Sequence, residues 1–386
     1  MITILFVHQS SELYGSDKTL LFLLKYLDRT RFYPIVILPS DGPLKAALEQ
    51  QHTHVAIVPV IKVYRKMFSY RNLWKFLKEF RTSTKVIDQL HQQYKFDLVY
   101  SNTLAVLLGH FFARKHKIRH VWHVHEIIDK PAVFKFGFCR LLSLRSTTSV
   151  VFNSEATKKA WNVNKAITDK SVVIFNGLET ATASVTPNEI NRIREQLFQS
   201  KNEIIIALVG RISRLKGQQI LLKTFLKLTK THSNIKLVFV GSAPPQQEIF
   251  LETLIQNVAA YGVADKVIIL PYQQHIAAIW QAVDIAVVPS TEPESFGLVA
   301  VEAMLAKKPV IASNHGGLSE IVVHDKTGFL VPPGNEEALT DAIRILVDNP
   351  QLRNSFGDAG YERASQEFSI DRHVQKFESL FTEIVK

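Results

Sequence analysis

The chain has 386 residues, enough for two domains each with a full core. With 46% hydrophobic and 21% charged residues it reads as an ordinary globular protein, and its single cysteine, Cys139, excludes an internal disulfide and fits a reducing compartment. The net charge of +11 is lopsided: residues 1–180 hold 26 basic against 13 acidic residues, and the remainder holds 20 against 22. Such asymmetry speaks to the partner of one half of the chain rather than to its fold.

The chain opens on Ile2–Val7, a continuous apolar run without a basic segment before it. It reads as a buried strand rather than a signal peptide. No run reaches the roughly 18 apolar residues of a spanning helix, so the expected location is cytoplasmic, at most on the inner face of a membrane. The loop His8–Lys18 carries Gly15, and an amphipathic helix opened by Ser16 or Asp17 runs to about Leu27. Strand, glycine-bearing loop and helix form the first unit of a doubly wound domain, with Gly15 letting backbone approach a phosphate. The absence of Gly-x-Gly-x-x-Gly counts against a dinucleotide cofactor.

Further strands are expected at Tyr33–Leu38, Val55–Val58, Leu98–Ser101 and His120–His123, the last running into Val124-His125-Glu126. The His-x-His spacing is compatible with a metal, but no third ligand stands near, and polar groups at the carboxyl end of a parallel strand more often line a substrate cleft. Ser149–Phe152 and Val172–Phe175 complete the first domain, 1–180. Residues 181–200, polar and with Pro187, read as a linker. Ile204–Val209, Leu237–Val240, Val267–Leu270, Ile285–Val288 and Val310–Ser313 are strands of a second domain, 201–365, and residues 366–386 form a terminal helix that can pack back on the first domain. Alternating strands and helices predict two Rossmann-like doubly wound α/β domains.

Two stretches of the second half carry chemistry. Gly210-Arg211-Ile212-Ser213-Arg214-Leu215-Lys216-Gly217 follows a strand and precedes a helix. Cations there would stabilise a departing diphosphate more than a bound one. Pro289–Gly297 follows another strand, with Glu294 in the loop and Glu302 one to two turns into a helix starting near Phe296-Gly297. The helix N-terminus is an anion site, and carboxylates beside it can accept hydrogen bonds from sugar hydroxyls. Taken singly, Arg211 and Lys216 read as a solvated basic loop and Glu294 and Glu302 as surface charges; together they read as a phosphate-and-sugar clamp.

The set Gly210-Arg211…Lys216-Gly217, Glu294…Glu302 around Ser295-Phe296-Gly297, Gly316-Gly317-Leu318-Ser319-Glu320 and Thr327-Gly328-Phe329, with Tyr14-Gly15-Ser16-Asp17-Lys18 and His125-Glu126, resembles glycosyltransferase family 4 over nearly the whole chain. The resemblance implies the GT-B fold, two Rossmann-like domains facing a central cleft, and a retaining, metal-independent transferase. Its implied donor is a nucleotide-diphosphate sugar, UDP ahead of GDP, and no further cofactor is expected. Arg211 and Lys216 would hold the diphosphate and Glu302 the ribose hydroxyls. Glu294 would contact the sugar, and Phe296, Gly297 and Leu298 would offer backbone N–H groups, with Gly210 in the same donor set. Gly15 would approach the phosphate from the first domain, and His125 would sit over the reacting sugar. The acceptor hydroxyl would attack from the leaving-group side, and the leaving phosphate would take its proton. This chain has Tyr14 where the family usually has a first glycine.

Two other readings remain open, a nucleotide-sugar epimerase of the same fold and a non-catalytic binding protein of a membrane surface or nucleic acid. No nucleic-acid partner is expected. The segment Lys62–Lys85 holds eight basic residues, one acid and six aromatics, and reads either as a docked helix with a solvated basic face or as a patch for anionic lipid. The acceptor domain carries that patch, so a glycan or lipid-linked saccharide acceptor in surface polysaccharide synthesis is expected. Phe134–Leu142 is apolar enough for core or cleft wall.

Overall fold

The computed structural model describes residues 1–60, 70–128, 131–179, 185–198, 202–273 and 275–386. It falls into two units, Met1–Glu179 with Ser369–Lys386, and Thr180–Phe368. The first unit holds seven strands: β1 (Ile2–His8), β2 (Phe32–Leu38), β3 (His54–Ile57), β4 (Leu98–Asn102), β5 (Arg119–Val124), β6 (Ser149–Phe152) and β7 (Ser171–Val173). Their order is β3-β2-β1-β4-β5-β6-β7, and all pairings are parallel.

The continuous apolar strands follow from burial on both faces. Alternate residues of β1 enter different cores. Ile4 and Phe6 join the cluster formed with Leu20, Leu23 and Leu24 of the helix Gly15–Tyr26. Leu5 and Val7 join the opposite cluster, with Ile87 and Phe112 of the helices Tyr70–Tyr94 and Leu107–His116. The C-terminal helix Ile370–Val385 completes the first cluster, burying Phe377 and Phe381 completely. Phe381 stands edge-on to Phe6 and Tyr100, with ring centroids 6.2 and 5.8 Å apart. Each such buried ring contributes about 1.5–3 kcal/mol, which is why the last segment of the chain is held by the first sheet.

The second unit holds β8 (Ile204–Val209), β9 (Ile235–Val240), β10 (Val267–Leu270), β11 (Ile285–Val288), β12 (Val310–Ser313) and β13 (Gly328–Val331), in the order β10-β9-β8-β11-β12-β13, again all parallel. Ile206 and Leu208 pack with Leu221, Phe225, Leu339 and Ile343 of the flanking helices Gln218–Leu228 and Glu336–Asp348.

Several local expectations are corrected. The stretch read as linker carries the helix Pro187–Arg192 and a wide π-type turn, Ile193–Leu197. Arg194 explains this order: its guanidinium donates to the Ala282 and Glu203 carbonyls at 2.9 and 2.6 Å and pairs with Asp284 at 3.2 Å. The helix after β1 starts at Gly15, and Asp17 acts from its third position, its carboxylate accepting the Tyr14 N–H at 2.9 Å. The segment Phe134–Leu142 lies in the helix Ala132–Ser143, and only one of its faces is core. Phe138, Cys139 and Leu142 are buried, while Phe136 is 69% exposed. Of the basic segment, residues 62–69 and the side chains of 70–78 lie outside the described residues; Phe80 packs on the second cluster, and Arg81 and Lys85 are exposed.

Candidate functional site

In an open parallel sheet, ligands bind beyond the carboxyl ends of the strands where the strand order reverses. In the second unit that point lies between β8 and β11. The loop after β8 is Gly210–Gly217 and the loop after β11 is Pro289–Gly297, so the two stretches singled out from the sequence are neighbours. The backbone ties them directly, the Thr291 N–H donating to the Leu215 carbonyl at 2.9 Å. Gly217 makes the approach possible: its φ is +79°, and a Cβ there would stand 2.1 Å from the Pro289 carbonyl oxygen.

The three cations of the first loop differ in what they face. Arg214 pairs with Glu292, both exposed. Lys216 Nζ lies 2.8 Å from Glu294 Oε1, and this pair is mostly shielded, at 22% and 15% side-chain exposure. The Ser290 hydroxyl donates to the same Glu294 oxygen. Arg211 is exposed, and among the described residues its guanidinium makes no ion pair; only its carbonyl is used, by Gln218 Nε2 at 2.9 Å.

Burial pushes the Glu294 carboxyl up, but the charge and hydrogen bond of Lys216 and the Ser290 hydroxyl outweigh it and hold the group below the usual carboxylate range. It is therefore an anion at neutral pH, with Oε1 doubly engaged. Its backbone is clamped from behind, where the Gly317 N–H donates to the Glu294 carbonyl at 2.7 Å. Gly316, at φ +59°, leaves room for that clamp, because a Cβ would stand 2.3 Å from the same oxygen.

The following helix is Leu298–Leu305, beginning one residue later than the sequence suggests, with Gly297 as the residue before it. The Phe296 side chain is not a site group: it is 3% exposed and stands edge-on to Phe368 at 5.7 Å. What Phe296, Gly297 and Leu298 offer is backbone at the start of a helix. Glu302 sits in the second turn, half-buried, with Trp280 Nε1 3.5 Å from its Oε2.

In the first unit the strand order reverses between β1 and β4. His8 ends β1 and Asn102 ends β4, and the two are paired in register. Asn102 Oδ1 accepts from His125 Nε2 at 2.7 Å, and His8 Nε2 donates to Asp17 at 2.6 Å. His125 is half-buried just beyond β5, its ring 3.9 Å from that of His123. Burial, reinforced by the neighbouring His8 and His373, lowers the His125 pKa to about 3. Burial raises the Glu126 carboxyl to about 7 against the N–H donors of Leu104 and His125 that favour its charge. Gly15 begins the helix beside this group. Sequence reasoning found His125, Glu126 and Gly15 but passed over His8 and Asn102. Their signal was a polar residue closing a strand at the switch point, His8 after the apolar Ile4–Val7 and Asn102 after Ser101.

Two family models divide the chain between them. The model described as Glycosyltransferase Family 4 matches residues 15–182, and the one described as Glycosyl transferases group 1 matches residues 189–363. The capsular polysaccharide biosynthesis glycosyltransferase CapM of Staphylococcus aureus is 25% identical over 372 residues, spanning 93% of this chain and 92% of CapM. A D-inositol 3-phosphate glycosyltransferase of Corynebacterium aurimucosum is 29% identical over 275 residues, 69% of this chain and 65% of its own. Two other curated relatives are spanned over only 17% and 50% of their length. Among solved structures, HepE of Anabaena in complex with UDP-glucose is 27% identical with a TM-score of 0.85, over 99% of this chain and all of that one. With both halves matched in order by these two family models, this chain belongs to glycosyltransferase family 4.

Proposed function

We propose that the protein transfers a sugar from a nucleotide-diphosphate sugar, UDP in preference to GDP, to a hydroxyl of a glycan or lipid-linked saccharide, with retention of configuration, in the synthesis of a surface polysaccharide. The observation that carries this reading is the pair of switch-point loops in the second unit, where the shielded Lys216–Glu294 pair stands beside the uncommitted Arg211. In this reading Arg211 and Lys216 hold the diphosphate, which gains charge as its bond to the sugar breaks. Glu294 accepts from sugar hydroxyls through Oε2, Glu302 accepts from the ribose, and the backbone of Phe296, Gly297 and Leu298 donates to sugar or phosphate together with Gly210. In the first unit, Gly15 and His125 are the groups offered to a substrate. The leaving phosphate takes the acceptor proton. The UDP and UDP-glucose complexes of HepE and the capsular role in CapM's name support the donor and the pathway class.

The test is transfer from a panel of UDP- and GDP-sugars to saccharide acceptors in the presence of EDTA. The two cations do what a divalent ion does in other transferases, so turnover from one UDP-sugar is expected to survive chelation. Turnover abolished by EDTA and restored by Mg²⁺ or Mn²⁺, or cyclic isomerisation of the donor without transfer, would refute the reading.

Attachment to an anionic inner leaflet follows from the +13 of residues 1–180 and the basic segment Lys62–Lys85. No described helix is long and apolar enough to cross a membrane, so attachment would be peripheral, at about 1 kcal/mol per basic residue near the surface. Co-sedimentation with anionic vesicles is expected at low salt and lost at high salt. It is also expected to weaken when Arg71, Lys75, Lys78 and Arg81 are changed to Gln; equal sedimentation of that variant would point to a soluble acceptor.

A further inference from the structure

The polar groups at the switch point of the first unit form one continuous line. Asp17 Oδ1 lies 2.6 Å from His8 Nε2, His8 Nδ1 lies 3.0 Å from Asn102 Nδ2, and Asn102 Oδ1 lies 2.7 Å from His125 Nε2. Asp17, His8 and Asn102 are 3%, 0% and 1% exposed. Buried polar groups with every partner in place are rigid and specify one arrangement.

A single contact sets the direction of every proton along the line. Asn102 Nδ2 also lies 3.3 Å from the carbonyl oxygen of Ser16. A carbonyl only accepts, so the end of the amide that faces both Ser16 and His8 is the NH₂ group. One hydrogen goes to Ser16, and the other goes to His8 Nδ1, which must then carry a lone pair. His8 is thus neutral with its proton on Nε2, which it donates to Asp17. The other end of the amide is the carbonyl, so His125 must carry a proton on Nε2. Asp17 is fixed as the terminal acceptor, since it also receives the Tyr14 N–H at 2.9 Å and the Ser10 hydroxyl at 3.3 Å.

We propose that Asp17, His8 and Asn102 are positioning residues that lock His125 as its Nε2–H tautomer and leave Nδ1 as a hydrogen-bond acceptor for a sugar hydroxyl. The second clause rests on the transferase reading above; the first does not. Among the described residues no other hydrogen bond reaches the His125 ring, and its low pKa keeps Nδ1 bare at neutral pH. The ring therefore accepts from a hydroxyl and has nothing to donate to a phosphate oxygen through Nδ1. Titratable groups around it are His8 and Asp17 in the line, His123 against its face, Glu126 under its backbone N–H, His373 of the C-terminal helix, and Tyr100 behind His123. None of them changes which nitrogen is bare while the Asn102 amide keeps its orientation. The arrangement gives His125 the second support that a positioned catalytic ring needs.

The test uses the full chain labelled with ¹⁵N-histidine and reads ring tautomers from long-range ¹H–¹⁵N spectra at neutral pH. His8 and His125 are expected as neutral Nε2–H rings; His125 as an Nδ1–H ring or as imidazolium overturns the lock. Asn102→Asp turns an acceptor oxygen towards His8 and sets a carboxylate on His125 Nε2, so His125 should titrate at least about one pH unit higher. Asn102→Leu, which takes the acceptor away from His125 Nε2, should lower turnover at neutral pH at least about 10-fold with the donor KM little changed. Asp17→Asn, which keeps the shape but removes a carboxylate from the line, should lower turnover less and leave His125 titrating no higher. Unchanged turnover in Asn102→Leu, or an unchanged His125 titration in Asn102→Asp, overturns the positioning role. A wild-type protein inactive with every donor sinks the transferase reading and its sugar hydroxyl, while the spectra still decide the lock.

Discussion

Replacing Arg211 with alanine is expected to lower transfer at least about 100-fold while leaving the melting temperature unchanged. Removing one donor aimed at developing charge costs about 2.7–4 kcal/mol of transition-state stabilisation. The fold loses nothing, because the side chain is exposed and makes no ion pair among the described residues. Lys216→Ala should lower the rate as far, but with a second signature. It strips the counter-charge from a shielded carboxylate, so the upward push of burial is no longer outweighed, Glu294 should titrate higher and the activity profile should shift to higher pH. Arg211→Lys restores the charge without the bidentate fork and should recover only part of the loss. Steady-state kinetics with saturating acceptor and calorimetric melts would check all three. Near-normal turnover in both alanine variants would remove the diphosphate from this loop.

The second unit was the more legible in sequence, and the reason is local. Its two site loops are each continuous in the chain, each follows an uninterrupted apolar strand, and glycines stand where backbones meet, Gly217 of the first loop against Pro289 and Gly316, beyond β12, against Glu294. Strand, loop and helix can be read from such a pattern without knowing the strand order. The Lys216–Glu294 pair could not be read that way, since the two residues are 78 positions apart and meet only because β8 and β11 are neighbours.

The first unit shows the opposite case. His8 and Asn102 are 94 positions apart, and each is a polar residue at the end of a strand, His8 after the apolar Ile4–Val7 and Asn102 after Ser101. Nothing local separates them from a simple strand end. The order β2-β1-β4-β5 makes them adjacent, and only then does His125 acquire a partner and a tautomer. The helical segment at Pro187–Leu197 escaped for a related reason. Its composition is polar, and what orders it is Arg194 reaching Asp284, 90 positions away. Apolar periodicity reports elements well, but a side chain's partner in a parallel sheet is set by topology.

Acid is expected to unfold the first unit well before ordinary acid denaturation. His110 and His373 are 0% and 2% exposed, and burial lowers each pKa to about 4, with Arg114 and Lys170 adding to the effect at His110 and Lys376 at His373. His120 and His123 are shifted the same way by burial and neighbouring histidines. His110 has no partner for either ring nitrogen among the described residues and lies stacked on Trp122 at 5.2 Å. A histidine whose folded pKa lies below its unfolded value of about 6.5 binds fewer protons when folded. Its stability contribution is complete above about pH 6.5 and is lost as the pH falls towards the folded value. By pH 5 that amounts to about 2 kcal/mol for each of His110 and His373, a large share of a typical 5–15 kcal/mol. Glu126 works in the other direction. Its folded pKa of about 7 means that its buried charge destabilises at high pH and is relieved on acidification, offsetting roughly one histidine. The net expectation is a urea midpoint for the first unit that falls steadily from pH 7 to pH 5, with His110→Leu flattening the slope. A midpoint that stays level or rises over that range would mean that these rings take up protons without leaving the folded core.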